Sequence, residues 1–160
     1  MYETIISNCA RIYKLDEKLI RAIIKKESSW RQYAYKVELG FWQRYMSGIK
    51  RIFYATPEKD EDWLKYSDII SASYGLTQIM LSTAMEEGFR FTFPFELFDP
   101  EKNIQAGAKH LSVLFKRYGN WNDVISAYNQ GNNRKRPDGK YENQESYVDV
   151  VLEFIKEDGG

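Results

Sequence analysis

Residues 23–30 read IIKKESSW and place a carboxylate at the end of an apolar helix face. The residues before Glu27 have helical spacing, and Ile20, Ile23 and Ile24 share one face of the predicted helix. Glu27 follows the last two of these by four and three residues, so it lies on the buried face or at its border. Two interpretations fit this position: a helix-end Glu that turns toward solvent, or an acid held against apolar surface.

An acid held against apolar surface has a specific chemical use. Burial disfavours the charged form of a carboxyl group, so the pKa of a buried Glu rises above its usual value of about 4.3. A carboxylic acid with a pKa near about 6 keeps its proton at working pH and can deliver it to a leaving oxygen. Glu27 is therefore a candidate general acid.

The rest of the chain predicts a mainly α-helical single domain that spans residues 1–160. Asp16 has the position of an N-cap, and Asp99 and Gly119 bound the clearest helix. Aromatic residues alternate through 89–98, which suggests a short extended segment. Helical spacing is found over residues 2–13, 17–29, 41–53, 77–87, 100–118, 121–130 and 144–157, and a short helix is expected near Trp63.

Composition and charge exclude several classes of function. Lys and Arg number 23, as do Asp and Glu, so a net charge of zero predicts no nucleic-acid partner. The single Cys9 excludes an internal disulfide and is expected in the core. The sequence has neither a long apolar stretch nor a secretory-signal pattern at its N-terminus. We therefore expect no membrane insertion, and either delivery by another route or the loss of a leader. We also expect a monomer.

A second candidate motif is the stretch SASYGLTQIMLSTA, residues 71–84. Gly75 permits a close backbone approach just before an apolar helix. Gln78 offers both a donor and an acceptor, as a sugar amide or hydroxyl requires. The alternative interpretation is a helix entry with a glycine hinge and a solvent-facing Gln.

A third candidate motif is ISAYNQG, residues 125–131, near a predicted helix end. The hydroxyl of Tyr128 at this position can hydrogen-bond a carboxyl group and position its proton. The alternative is a core Tyr followed by Asn129 as a cap of the helix C-terminus.

Together and in this order, the three motifs resemble the soluble-type lytic transglycosylases, which share the fold of goose-type lysozyme. The matching residues are Glu27-Ser28, Gly75-Leu76-Thr77-Gln78 and Ala127-Tyr128-Asn129. Residues 98–121 and 146–154 also look like the family's linking and closing segments. The resemblance covers roughly residues 15–155. Thr77 stands where the family usually has Met.

The resemblance implies cleavage of the β-1,4 bond between N-acetylmuramic acid and N-acetylglucosamine in peptidoglycan. Glu27 would protonate the bridging oxygen and then act as base on the muramyl 6-hydroxyl, which closes a 1,6-anhydro ring. By the same resemblance, Tyr128 orients Glu27, and no metal or cofactor is implied. Substrate contacts are assigned to Ser28, Gly75, Gln78, Asn129 and Tyr147.

A departure from the family keeps other functions open. The gap between Glu27 and Gly75 is long, and its extra segment, residues 36–70, is rich in aromatic residues. This segment is either a helical hairpin on the core or a wall of the sugar groove. It also holds Asp68 and Glu38, and either would serve as the second carboxylate of a muramidase that hydrolyses the same bond. A third possibility is a catalytically weak wall-binding or assembly protein.

The remaining polar features of the sequence give weaker indications of function. His110 has no Cys or acidic partner at metal-ligand spacing, so it is expected to be structural. The basic loop 132–140 is either a solvated turn or a contact for wall carboxylates. A single small domain without a leader suggests a phage lysis enzyme (endolysin) or a part of a larger machine.

Overall fold

The computed structural model describes residues 2–38, 68–69 and 71–158. Helices dominate it, as the hydrophobic spacing predicts. The helices are α1 (Glu3–Tyr13), α2 (Glu17–Ser28), α3 (Leu81–Glu86), α4 (Pro100–Tyr118), α5 (Trp121–Gln130) and α6 (Asp149–Glu157), with a 3-10 helix at Pro94–Phe98 and a π-helical turn at Gln144–Val148. None of the helices described combines the length and the apolar character that a membrane span needs.

A small antiparallel sheet accompanies the helices. Its strands are β1 (Tyr35–Val37), β2 (Ala72–Tyr74) and β3 (Ile79–Met80), in the order β1-β2-β3. The register pairs Tyr35 with Tyr74 and Tyr74 with Ile79, so β2 is the central strand and is buried along its length. The sheet brings the chain after α2 next to the Gly75–Gln78 turn, although these segments are far apart in sequence.

The predicted helix ends are confirmed where a side chain or a glycine marks them. The Asp16 carboxylate accepts a hydrogen bond from the Lys18 N–H at 2.8 Å and begins α2. Asp99 does the same for α4 through the Lys102 N–H at 3.0 Å. Gly119 ends α4 in the left-handed conformation, with φ of 73°, which glycine adopts without steric cost.

Three element predictions differ from the structure. The predicted helix 77–87 begins only at Leu81, because Ile79–Met80 pairs into the sheet and Gln78 has a left-handed φ of 48°. The segment 89–98 is not an extended strand: Pro94, which cannot donate to a sheet, begins the 3-10 helix. The last helix starts with the π-helical turn.

Most of the extra segment 36–70 lies outside the described residues. The predicted helices over 41–53 and near Trp63 therefore stay predictions. Its described beginning joins the sheet through β1, and the Glu38 N–H donates to the Ser71 carbonyl at 2.9 Å.

Helix α2 lies between two apolar clusters that hold it in place. Ile23 packs with Leu111 and Ile125 in one cluster, while Ile24 packs with Ile104 and Cys9 in the other. Cys9 is buried, as predicted. Each fully buried side chain of this size contributes about 1.5–3 kcal/mol relative to an exposed one. The position of the last turn of α2, which carries Glu27, is therefore set by the core.

Candidate active site

Glu27 opens onto a groove at the C-terminal end of α2. Ser29 ends the helix with a left-handed φ of 51°, and the chain then runs along the groove into β1. The groove has a volume of about 770 Å³, within the usual size range of a ligand site. Its lining includes Glu27, Arg31, Tyr33, Tyr35, Lys36 and Gln78.

The carboxyl group of Glu27 is partly buried, and this burial dominates its acidity. Desolvation raises the pKa of Glu27 to about 7, against a hydrogen bond from Tyr147 and the charges of Lys36 and Lys26, which lower it. The nearby Glu38 carboxylate adds a smaller upward effect on that pKa. The sequence-based expectation of a raised pKa is confirmed in direction, and its physical cause is the predicted one.

The tyrosine that contacts Glu27 is Tyr147, not Tyr128. The Tyr147 hydroxyl donates to Glu27 Oε1, and the side chain is only 3% exposed. The Tyr128 hydroxyl instead donates to the Thr77 carbonyl at 2.9 Å. The expected Tyr128–Glu27 hydrogen bond is therefore wrong, because α5 directs that hydroxyl onto the Gly75–Gln78 turn. The substrate contact predicted for Tyr147 stays a prediction; in the structure its hydroxyl is buried against Glu27.

The Gly75–Gln78 turn is held by Asn103, which lies outside the three sequence motifs. Asn103 is fully buried on α4 and accepts hydrogen bonds from the Thr77 N–H at 2.8 Å and the Thr77 hydroxyl at 2.9 Å. Its amide donates to the carbonyls of Tyr74 and Leu97, both at 2.8 Å. The only sequence signal was the Asn-Ile pair of the linking segment, where a polar residue adjoins the apolar face of α4.

Gly75 allows a close approach, but its neighbour is the protein itself. Its φ is 68°, and a Cβ atom at this position would lie 2.5 Å from Asn103 Nδ2 and 2.8 Å from the Leu97 carbonyl oxygen. Gly75 is buried in the turn. The substrate contact predicted for Gly75 stays a prediction, while the structure shows that this glycine lets the turn pack against Asn103.

Gln78 is fixed in the groove by its own amide group. Its Nε2 donates to the Ala34 carbonyl at 3.0 Å and to the Gly75 carbonyl at 2.9 Å. Within the described residues its Oε1 accepts no hydrogen bond, so this oxygen remains available to a ligand donor in the groove. The sequence predicts that the Gln78 amide offers a sugar both a donor and an acceptor. Because its donor is used within the protein, only the acceptor oxygen remains for a sugar.

The two other predicted sugar contacts differ in their exposure. Ser28 is 1% exposed, and its hydroxyl donates to the Ile24 carbonyl at 3.1 Å within α2. The contact predicted between Ser28 and the substrate stays a prediction; in the structure the Ser28 hydroxyl is buried and bonded to its own helix. Asn129 is exposed, and its Oδ1 accepts from Asn143 Nδ2 at 3.0 Å.

The alternative carboxylates do not line the groove with Glu27. Glu38 forms an ion pair with Lys36 at 2.8 Å and accepts from the Ser73 hydroxyl at 3.4 Å. Asp68 is exposed, and its backbone carbonyl accepts from the Tyr35 hydroxyl at 3.1 Å. In the part of the chain that is described, Glu27 is the only carboxylic acid of the groove wall.

His110 lies on α4, outside the groove, and its side chain is partly buried. Its Nδ1 is hydrogen-bonded to Glu87, and its ring centroid lies 5.3 Å from that of Tyr128. Over residues 2–38, 68–69 and 71–158, no group of three His, Cys, Asp or Glu side chains is placed to hold a metal ion. The packing of His110 agrees with the structural role expected from the sequence.

Tyr147 and Tyr128 make a matched pair of positions for measuring the acidity of Glu27. Tyr147→Phe removes a hydrogen bond to the carboxylate, so the pKa of Glu27 should rise above the parent value of about 7. Tyr128→Phe removes a hydrogen bond to a buried carbonyl, which should cost about 1–2 kcal/mol of unfolding free energy without moving that pKa. Titration of Glu27 by carboxyl NMR checks both variants. An equal Glu27 pKa in parent and Tyr147→Phe would contradict the assigned hydrogen bond.

The chain is similar in sequence to a known protein family. The family model of the transglycosylase SLT domain matches residues 4–150. The X polypeptides of Escherichia coli and of its strain K12 are 30% identical over 121 residues, which cover 76% of this chain and 55% of the relative. The chain thus spans about half the length of these curated relatives.

Two solved structures share the fold. One is the inactive glutamate-to-glutamine mutant of lytic transglycosylase Slt from Pseudomonas aeruginosa, with 20% identity, a TM-score of 0.66 and coverage of 96% of this chain and 23% of that one. The other is the 70 kDa soluble lytic transglycosylase from Escherichia coli, with 19% identity, a TM-score of 0.64 and coverage of 97% and 23%. These matches confirm the predicted lysozyme-like fold. Since the family model also covers most of the described chain, this protein belongs to the transglycosylase SLT domain family.

Proposed function

We propose that this protein is a lytic transglycosylase that cleaves the β-1,4 bond between N-acetylmuramic acid and N-acetylglucosamine in peptidoglycan strands. The observation that carries the proposal is Glu27: a carboxylic acid in the wall of a groove, with a pKa of about 7 and a hydrogen bond from Tyr147. Such an acid is protonated in much of the enzyme near neutral pH, as a general acid must be. The family membership supports the same reaction class.

In the proposed reaction, Glu27 donates its proton to the bridging oxygen as the glycosidic bond breaks. The resulting carboxylate then takes the proton of the muramyl 6-hydroxyl, whose oxygen bonds to the anomeric carbon. The products are a 1,6-anhydro-muramic end and a new N-acetylglucosamine end that carries the proton from Glu27. Tyr147 holds the carboxyl group in place, and Gln78 and Asn129 offer polar groups to the sugars.

Among the described residues of the groove wall, Glu27 is the only carboxylic acid, which agrees with a mechanism that needs a single carboxylate. Glycosidases that use two carboxyl groups place them about 5–5.5 Å or about 6.5–9.5 Å apart, according to stereochemistry. An intramolecular hydroxyl removes the need for a second group, because proximity replaces activation of a separate water. Tyr33 and Tyr35 line the groove and are 73% and 44% exposed, which leaves flat apolar surface for the sugar rings.

Mass spectrometry of digested cell wall tests the proposal. Transglycosylation leaves 1,6-anhydro-muramic acid and no new reducing muramic acid end, and each fragment is lighter by one water than its hydrolysed counterpart. We expect anhydro ends in nearly all fragments produced by the purified protein. Mainly reducing muramic acid ends would overturn the transglycosylase mechanism, and failure to clear a turbid wall suspension would favour a wall-binding or assembly role.

One observation favours a hydrolytic muramidase as the second candidate. The Glu38 carboxylate lies close enough to Glu27 to raise its pKa, although it is paired with Lys36. If fragments end in reducing muramic acid, Glu38→Gln and Asp68→Asn identify which carboxylate activates the water. Under the transglycosylase mechanism, both variants keep the anhydro product.

A further inference from the structure

Within the described part of the chain, Arg31 presents an unpaired guanidinium group in the groove wall. Its Nε donates to the Ser28 carbonyl at 3.0 Å, which fixes the group to the C-terminal end of α2. No carboxylate of the described residues lies within 4.0 Å of Arg31, and its two terminal nitrogens donate to none of the described groups. The outer edge of the guanidinium therefore carries N–H groups available to a ligand.

The electrostatic balance of the groove differs from that of the whole protein. The chain has a net charge of zero. Among the charged groups of the described groove wall, Lys36 is paired with Glu38 at 2.8 Å, and Glu27 is largely uncharged below about pH 7. The described groove wall therefore carries a net positive charge below about pH 7, to which Arg31 contributes a charge that has no carboxylate partner among the described residues. A groove of this sign favours an anionic ligand over a neutral one.

The chemistry of a guanidinium narrows the choice of anionic group. The planar fork of an Arg matches a carboxylate with two parallel hydrogen bonds, which a compact ammonium group cannot reproduce. In a glycan strand of peptidoglycan, the sugars are neutral and the peptides attached to the muramic acid residues carry carboxylates. We propose that Arg31 binds a carboxylate of this stem peptide, so that the groove prefers glycan with acidic stems over glycan whose stems are amidated. This inference rests on the proposed function, because the glycan must lie in the groove beside Arg31.

The ligand for the test lacks the bond that the enzyme would cleave. The disaccharide N-acetylglucosaminyl-N-acetylmuramic acid, with a stem peptide of free carboxylates, is compared by calorimetry with the same molecule whose peptide carboxylates are amidated. We expect the parent protein to bind the acidic form about five- to tenfold more tightly, as suits a partly exposed charge-assisted hydrogen bond. In Arg31→Gln the ratio of the two dissociation constants should fall to about one.

Two further variants distinguish the effect of the guanidinium geometry on ligand preference from the effect of positive charge alone. Arg31→Lys keeps the positive charge without the fork and should retain only part of the preference; it also serves as the test if Arg31→Gln does not fold. Arg117→Gln removes an exposed positive charge from the last turn of α4, outside the groove, and should keep the full ratio. Equal binding of both ligands by the parent, or an unchanged ratio in Arg31→Gln, overturns the proposal.

The outcome is separable from the test of the reaction itself. Wall fragments with anhydro ends and no preference for acidic stems would leave the proposed function standing and remove the role of Arg31. A clear preference in the absence of wall cleavage would keep the carboxylate site and remove the proposed reaction.

Discussion

Glu27→Gln is expected to lower the rate of wall cleavage by about 10²–10⁴-fold, the usual contribution of a general acid. The glutamine side chain has nearly the same shape and can still accept the hydrogen bond from Tyr147, but it has no proton to donate. Binding of glycan in the groove should therefore be preserved while turnover is lost. The release of soluble fragments from purified walls measures the loss. Turnover close to the parent rate in a folded Glu27→Gln protein would remove Glu27 from the mechanism.

The same variant is expected to gain stability at neutral and alkaline pH. Because the pKa of Glu27 rises from 4.5 unfolded to about 7 folded, the folded state holds more protons between these values. The free energy of unfolding of the parent therefore falls as the pH rises through this window. The total loss, reached at pH values above about 7, is about 3 kcal/mol. The neutral amide of the Glu27→Gln variant carries no such cost, so urea unfolding should show a difference near pH 8 that vanishes near pH 4.

Glu153→Gln is the matched control for this stability measurement, since Glu153 is an exposed carboxylate on α6. It should leave the pH dependence of unfolding as it is in the parent. An identical pH dependence in Glu27→Gln and Glu153→Gln would contradict the buried-acid description of the site.

The sequence located Glu27 through its position on a helix and through the resemblance of the three motifs to a known family. Helical spacing leaves two orientations open for Glu27, toward the apolar face of Ile23 and Ile24 or toward solvent. The resemblance of the three motifs to the family favours the buried acid, whose pKa is raised. The partner of Glu27 was assigned to the wrong tyrosine, because both tyrosines are far from Glu27 in sequence and their directions depend on packing. Tyr147 reaches Glu27 from a π-helical turn, which hydrophobic spacing does not distinguish from an α-helix.

The Gly75–Gln78 turn was recognised in the sequence, but the residue that packs against it was not. The glycine and the need for a close approach could be recognised, but the partner of that approach could not. Asn103 lies on α4, where the neighbouring residues form an ordinary apolar helical pattern. Only the fold shows that its side chain hydrogen-bonds β2, the Gly75–Gln78 turn and the 3-10 helix at the same time. When the partners of a buried polar residue are backbone groups or a hydroxyl, a single sequence does not identify them.

Asn103→Ala is accordingly expected to be the most destabilising single change outside the apolar core. It leaves the Thr77 N–H and the carbonyls of Tyr74 and Leu97 buried without their partner, and each such group costs about 1–3 kcal/mol. We expect a loss of about 4 kcal/mol or more in the free energy of unfolding, measured by urea titration, out of a total of about 5–15 kcal/mol for a domain. Asn122→Ala, at an exposed position of α5, should stay within about 0.5 kcal/mol of the parent.

Thr77→Val supplies the graded comparison, because it removes only the hydroxyl bonds to Asn103 and keeps the backbone bond. Its expected cost is about 1–2 kcal/mol. Because Asn103 holds Thr77, and Gln78 follows directly in the turn, the folded fraction of Asn103→Ala should also lose glycan binding, whereas Thr77→Val should keep most of it. If Asn103→Ala unfolds at the parent urea concentration, the hydrogen bonds of Asn103 do not set this turn. If it is destabilised but its folded fraction binds glycan normally, the turn does not position the groove.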